Sequence, residues 1–279
     1  MVIAGVHVSI AGSILNAFGR AEERECDCFQ IFTKNPRSWG AKPIDEKLAE
    51  IFSNTANSSF SNLVFAHISY LPNLAGEKPE IYKRSEEALI TELERCNTLS
   101  IPYLVTHLGH ANDGVEKGKT RVISAINNAL TRTRGDTKLL LENTAGEKNS
   151  IGSRFEDIAD VISHVSYKSR LGVCIDTCHA FAAGYDLRSD DTVTGFVKQF
   201  DNIIGLKYLH LIHLNDTKGG FGSGLDRHEH IGLGSIGYEG IRSILHHSSL
   251  RNIPCICETP VDNRRGDLEN IKKVRELAQ

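Results

Sequence analysis

Short apolar runs that end on a histidine or a carboxylate recur along this chain at nearly constant spacing, and they restrict its fold more tightly than any other feature. The runs close at His67, His107, Glu142, Asp176, His213 and Glu258, at intervals of 40, 35, 34, 37 and 45 residues. Gly172-Val173-Cys174-Ile175-Asp176-Thr177-Cys178-His179 is representative. Its partly β-branched run suits a strand covered on both faces. A carboxylate closes the strand, and a loop over Ala180–Gly184 is expected to follow. Further strands are expected over Val2–Val8 and Cys28–Phe32. Segments with helical spacing separate the strands, such as Ile14, Leu15, Phe18 and Ala21, or Val193, Phe196, Val197 and Phe200. Eight strands alternating with eight helices in 279 residues give about 35 residues per unit, the size of a βα repeat. A single (β/α)8 TIM barrel over residues 1–279 is therefore expected, in class α/β, with its active site at the C-terminal face of the strands. The alternative, a doubly wound open sheet, would place a G-x-G-x-x-G turn after the first strand, and none is present.

Composition narrows the class. At 40% hydrophobic residues the chain can bury a large core, yet no apolar run reaches the ~18 residues a membrane span needs. Met1-Val2-Ile3-Ala4-Gly5 lacks the basic head of a signal peptide, so a cytoplasmic protein is expected. The seven cysteines contain no Cys-x-x-Cys and read as buried free thiols. The formal charge of −3 does not advertise a nucleic-acid ligand, but three bound divalent ions would reverse its sign.

In a barrel every strand opens its carboxyl end on one face, so six imidazoles and carboxylates would converge there. A single Asp at a strand end usually serves as a cap or turn former; six in consecutive units point to metal ligation. Three more candidates come from loops at the same mouth: His179, Asp226 and His228. The set holds five histidines and four carboxylates and no thiolate, which suits zinc, with manganese or iron at the carboxylate-rich positions. Nine ligands without sulfur suggest two or three ions with open positions, and paired ions are a recurring device for displacement at phosphorus.

Several motifs are specific enough to name. His67-Ile68-Ser69-Tyr70-Leu71-Pro72-Asn73, Gly172–His179 and His213-Leu214-Asn215-Asp216-Thr217-Lys218 resemble the endonuclease IV family of apurinic/apyrimidinic DNA endonucleases. Thr33-Lys34-Asn35 through Trp39, Leu141–Gly146 and Asp226-Arg227-His228 do so too, and the resemblance runs over essentially the whole chain. Pro72 and Thr217 are small departures that remove no ligand. The resemblance implies a TIM barrel with a trinuclear zinc centre, three Zn2+ per chain, with Mn2+ as an alternative at one site. It implies that His67, His107 and Glu142 hold one ion. Glu142 would bridge to a second, held also by Asp176, His213 and Glu258, and His179, Asp226 and His228 would hold the third.

The function so implied is hydrolysis of the phosphodiester 5′ to an abasic site in duplex DNA, as in base excision repair, leaving a 3′-hydroxyl and a 5′-deoxyribose phosphate. Cleaning of blocked 3′ ends and a monomeric state are also expected. Glu142 is the expected catalytic residue. Lys34, Arg37 and Arg227 lie in loops on the ligand-bearing face and can meet phosphates. Tyr70 and Leu71 follow His67 so closely that they stand at the rim, where they can prop an opened base stack while Arg37 enters the gap. His7 reads equally as a residue supporting a ligand and as a packed imidazole. The rival readings are a metal-dependent sugar isomerase on the same barrel and a non-catalytic damaged-DNA binding protein.

Overall fold

The computed structural model describes residues 2–279. Strands and helices alternate from β1 (Ala4–His7), α1 (Asn16–Glu23), β2 (Cys28–Ile31), α2 (Glu46–Phe60), β3 (Val64–His67) and α3 (Pro79–Thr98) to β4 (Tyr103–His107), α4 (Val115–Arg132), β5 (Lys138–Glu142) and α5 (Phe155–His164). The second half runs β6 (Leu171–Asp176), α6 (Thr177–Ala182), α7 (Asp190–Ile203), β7 (Leu209–His213), β8 (Asp216–Thr217), β9 (His228–Glu229), α8 (Gly237–His246), β10 (Cys255–Cys257) and α9 (Asp267–Leu277). Strands β1 to β7 and β10 pair in parallel and close into a barrel, β10 lying between β7 and β1. The expected fold class is observed, with strands a residue or more shorter than expected at one or both ends, except β5, which matches, and β6, which begins a residue early.

Side chains alternate between the two faces of a strand, and this alternation builds the mouth. Cys28, Phe65, Val105, Leu140, Cys174, Leu211 and Ile256 pack on one another inside the barrel. Two residues further along each chain segment stand Gln30, His67, His107, Glu142, Asp176, His213 and Glu258. An apolar plug is therefore capped by a polar layer. Gly5 takes the plug position in β1, where a Cβ would lie 1.7 Å from the Cys28 carbonyl oxygen; only glycine lets β1 approach β2, and His7 follows in the polar layer. Outside the barrel, Phe18 of α1 and Phe52 and Phe60 of α2 close over Phe29, with ring centroids 4.9–6.0 Å apart. All seven cysteines are free, six of them buried.

One expectation is corrected. The segment after Asp176 is the short helix α6, which runs through Ala182. Asp176 ends β6 and caps that helix, accepting from the His179 backbone N–H at 2.8 Å. Every residue of α6 is buried, so the segment shows no amphipathic period. The long polar stretch Asn215–Gly237 contains the antiparallel ribbon β8–β9. Two-residue strands are too short to show alternation. The buried Asp216 carboxylate gathers this stretch by accepting from the backbone N–H groups of Thr217, Gly234, Ile236 and Gly237.

Candidate metal centre

Glu142 stands at the centre of the mouth, 1% exposed at its side chain. Its Oε2 lies 3.1 Å from His67 Nε2 and 3.4 Å from His107 Nε2; its Oε1 lies 2.9 Å from His213 Nδ1 and 3.5 Å from His179 Nδ1. Asp176 and Glu258 approach the same His213 nitrogen at 4.0 and 3.4 Å. At the other side, Asp226 Oδ1 lies 3.3 Å from His179 Nε2 and 3.4 Å from His228 Nε2. The nine expected ligands thus fall into three groups able to hold metal ions: His67 with His107 and Glu142; Glu142 with Asp176, His213 and Glu258; and His179 with Asp226 and His228. Cys178 also lies near Asp176 and His228, but burial pushes its thiol up to about 12, which disfavours the thiolate a metal requires.

The orientation of the imidazoles fits a cation. A metal-binding histidine uses one ring nitrogen and donates the other's proton to a fixed acceptor. His67 Nδ1 meets the Ile68 carbonyl at 2.6 Å, His179 Nδ1 the Asn143 carbonyl at 3.0 Å, and His228 Nδ1 the Glu258 carbonyl at 2.9 Å. Each remaining nitrogen faces a carboxylate. That of His228, Nε2, is buried without a hydrogen-bond partner. Such an orphan is costly unless something charged meets it.

Electrostatics say the same. Burial pushes the Glu142 carboxyl up, but the imidazoles of His107, His213 and His67 outweigh it and hold it well below the usual carboxylate range. Glu258 is lowered chiefly by His213, against its burial. In return, and despite their own burial, His213 is held well above the ordinary imidazole value and His179 rises to about 10 under the pull of Asp176, Asp226 and Glu142. A cluster of buried carboxylates demands positive charge, which bound cations could supply.

Residues outside the expected set hold these side chains in place. Asn215 donates to Asp176 Oδ2 at 2.7 Å and accepts from the Glu258 backbone N–H at 2.8 Å. Asn143 accepts from the Asp176 backbone N–H at 2.7 Å. Gln30, wholly buried, meets His213, Glu258 and His7. A search of the sequence for imidazoles and carboxylates passes over amides; the available signal was position, since Gln30 stands two residues after Cys28 in the layer the ligands occupy.

Among the expected DNA-contacting residues, Arg37 and Arg227 are exposed, and Tyr70 is 74% exposed. Its ring lies edge-on to Phe32, centroids 5.1 Å apart, with the half-buried Leu71 beside it. Lys34 is a correction. Its ammonium turns inward, donating to the Ser38 carbonyl at 2.5 Å, with Glu92 Oε1 3.7 Å away. Glu92 is fully buried on α3, and leaving it without a counter-charge would be costly, so this lysine anchors its loop and presents nothing to a phosphate. Beside the centre a groove of about 440 Å³ runs between His107 and Asp226, past His110 and Lys148.

Comparison with known proteins agrees with this architecture. Residues 18–279 match the family model described as "Xylose isomerase-like TIM barrel". "Probable endonuclease 4" of Methanoculleus marisnigri is 54% identical over 280 residues, covering 100% of this chain and 99% of the relative. The protein of the same name from Nitrosopumilus maritimus is 45% identical, covering 98% and 99%. Endonuclease IV from Thermus thermophilus superposes with a TM-score of 0.86 at 35% identity, covering 98% of each chain. A D-tagatose 3-epimerase-like protein, at 18% identity and TM-score 0.71 over 98% of each chain, shares the fold. Full-length identity at this level, on a barrel carrying these nine side chains in one mouth, means that the chain belongs to the endonuclease IV family.

Proposed function

We propose that this protein is a zinc-dependent endonuclease that hydrolyses the phosphodiester 5′ to an abasic site in duplex DNA, leaving a 3′-hydroxyl and a 5′-deoxyribose phosphate, and that also clears blocked 3′ ends. The observation that carries the reading is the division of nine side chains into three ligand groups, two of which share Glu142, in a member of this family. His67, His107 and Glu142 would hold one zinc ion; Glu142, Asp176, His213 and Glu258 a second; His179, Asp226 and His228 a third, with Mn2+ able to replace zinc at one of them. Ions bound there supply Lewis acidity toward a phosphodiester and a nucleophile near neutral pH.

The chain's own residues do the rest. Glu142 holds two ligand groups in register through its two oxygens. Arg37 and Arg227, exposed on loops at the mouth, meet backbone phosphates. Tyr70 and Leu71 stand at the rim to fill the stack vacated when the abasic nucleotide turns outward. A DNA substrate is in keeping with the cytoplasmic location expected from the sequence. The sugar-isomerase reading is the weaker one, because the group of His179, Asp226 and His228 exceeds what one or two ions require.

A nicking assay on a duplex bearing one abasic site, together with elemental analysis of protein purified without chelator, tests the reading. Incision 5′ to the lesion with close to three zinc per chain is expected. Glu142→Ala should lower incision by at least about 100-fold, the scale of losing a group that acts on the reacting centre. Active protein holding one ion or fewer, or an unimpaired Glu142→Ala, would overturn it.

A further inference from the structure

Gln30 is left without a role by the ligand groups, yet its amide meets three side chains of the mouth. It lies on β2, opposite His7 in register, and is wholly buried. Its Oε1 lies 2.9 Å from His213 Nε2. Its Nε2 lies 2.8 Å from Glu258 Oε1 and 3.1 Å from His7 Nδ1. The amide has only one orientation that suits these neighbours. Turned over, its carbonyl would face the Glu258 carboxylate, and two acceptors would be pressed together in a buried site.

With that orientation set, the proton positions follow. An amide carbonyl can only accept, so His213 must carry a proton on Nε2. Any lone pair the ring offers is then on Nδ1, the nitrogen that faces Glu142, Glu258 and Asp176. The amide N–H likewise engages Oε1 of Glu258 and leaves Oε2, 3.4 Å from His213 Nδ1, turned toward the same point. The second amide hydrogen goes to His7 Nδ1, so every polar atom of Gln30 is matched. His67, His179 and His228 take their ring orientation from backbone carbonyls; His213 takes its own from a side chain.

We propose that Gln30 is a positioning residue for the central ligand group, selecting Nδ1 of His213 and Oε2 of Glu258 as the atoms presented to a metal ion. The proposal rests on the metal reading given above. It assigns β2, which contributes no ligand, a part in the centre: one amide sets two ligands that come from the ends of the neighbouring strands β7 and β10.

Two variants test it. Gln30→Met keeps the length of the side chain and removes all its hydrogen bonds; Gln30→Glu keeps an acceptor for His213 but sets an oxygen against Glu258. Zinc-loaded wild type and variants are equilibrated against graded free zinc in a chelator buffer, and zinc per chain is counted. In parallel, long-range 1H–15N spectra of histidine-labelled protein report which nitrogen of His213 carries its proton. Wild type should show a slowly exchanging Nε2 proton. Gln30→Met should release one of the ions at about 10- to 100-fold higher free zinc than wild type does, hold the others unchanged, and lose protection of that proton. Gln30→Glu should keep the Nε2 proton and still release the same ion early; if Gln30→Met does not fold, this variant decides. Wild-type zinc retention in either variant would overturn the role of Gln30 while leaving the metal reading intact. Wild-type protein that takes up no zinc would overturn both.

Discussion

Burial drives the His7 imidazole down to about 4, against the pull of Glu258. In the unfolded chain the same group titrates near 6.5. Between those values the unfolded state binds more protons than the folded one, so stability must rise with pH across the window. His7 should therefore cost the fold on the order of 2 kcal/mol as pH falls from 7 to 4.5. Replacement by a neutral side chain, His7→Gln, should flatten the slope by that amount in urea denaturation measured at half-unit pH steps. Parallel profiles for the two proteins would mean that His7 is protonated as easily in the fold as out of it.

Loops become instruments when something rigid grips them. The loop after β2 is held by Thr33, whose hydroxyl donates to Glu92 Oε2 at 2.5 Å, and by Arg95, whose guanidinium reaches the Thr33 carbonyl and hydroxyl. Lys34 completes the clasp. Glu92→Ala leaves that ammonium buried and unpaired, which should cost about 3–5 kcal/mol. Replacing both partners, Lys34→Met with Glu92→Met, should cost far less, since an apolar pair of similar volume needs no counter-charge. Denaturant melts of the two proteins decide it, and a loss below about 1 kcal/mol in Glu92→Ala would refute the clasp. The loop after β3 is gripped by Asn73, which accepts from the Ala75 and His110 backbone N–H groups and donates to the His110 carbonyl. Gly109, with φ +93°, leaves it room: a Cβ there would lie 2.2 Å from Asn73 Oδ1. So held, Tyr70 and Leu71 are offered at a fixed height. Tyr70→Ala with Leu71→Ala should weaken binding to abasic duplex, leave zinc content unchanged, and lose less on a substrate that needs little unstacking. If energy transfer between labelled duplex ends shows wild-type bending in the double variant, these residues are not the wedge.

For the whole molecule, the charge that matters is local. A formal charge of −3 predicts weak or repulsive encounter with DNA, yet the acidic side chains of the mouth are those that would be neutralised by bound ions, and Arg37 and Arg227 stand exposed around them. Affinity for abasic duplex should fall with salt, each neutralised phosphate adding a slope near −0.9 in log affinity against log salt. Removing both guanidinium groups, Arg37→Ala with Arg227→Ala, should reduce the slope by about 2. A titration showing no salt dependence in the wild type would refute the electrostatic part of the proposed interface.

The barrel and the side chains gathered at its mouth were legible in the chain because both depend on local order. Strand and helix periods are written in consecutive residues, and eight repeats of them leave few ways to close a sheet. His67, His107, Glu142, Asp176, His213 and Glu258 could be found because each ends such a strand or directly follows it, and a closed parallel barrel sends all those ends to one face. What the chain alone did not reveal depends on neighbours far apart along it. Lys34 has the composition of a phosphate contact, and only the buried Glu92, 58 residues away on α3, turns it inward. The helix after Asp176 has no polar face because the fold covers it on every side. Gln30 carries no charge to attract notice; its meaning comes from His213 and Glu258, which reach it only when the barrel shuts. Sequence determined which residues share the mouth, through periodicity; tertiary structure decided which way each side chain faces, through burial and the need to satisfy every polar atom removed from water.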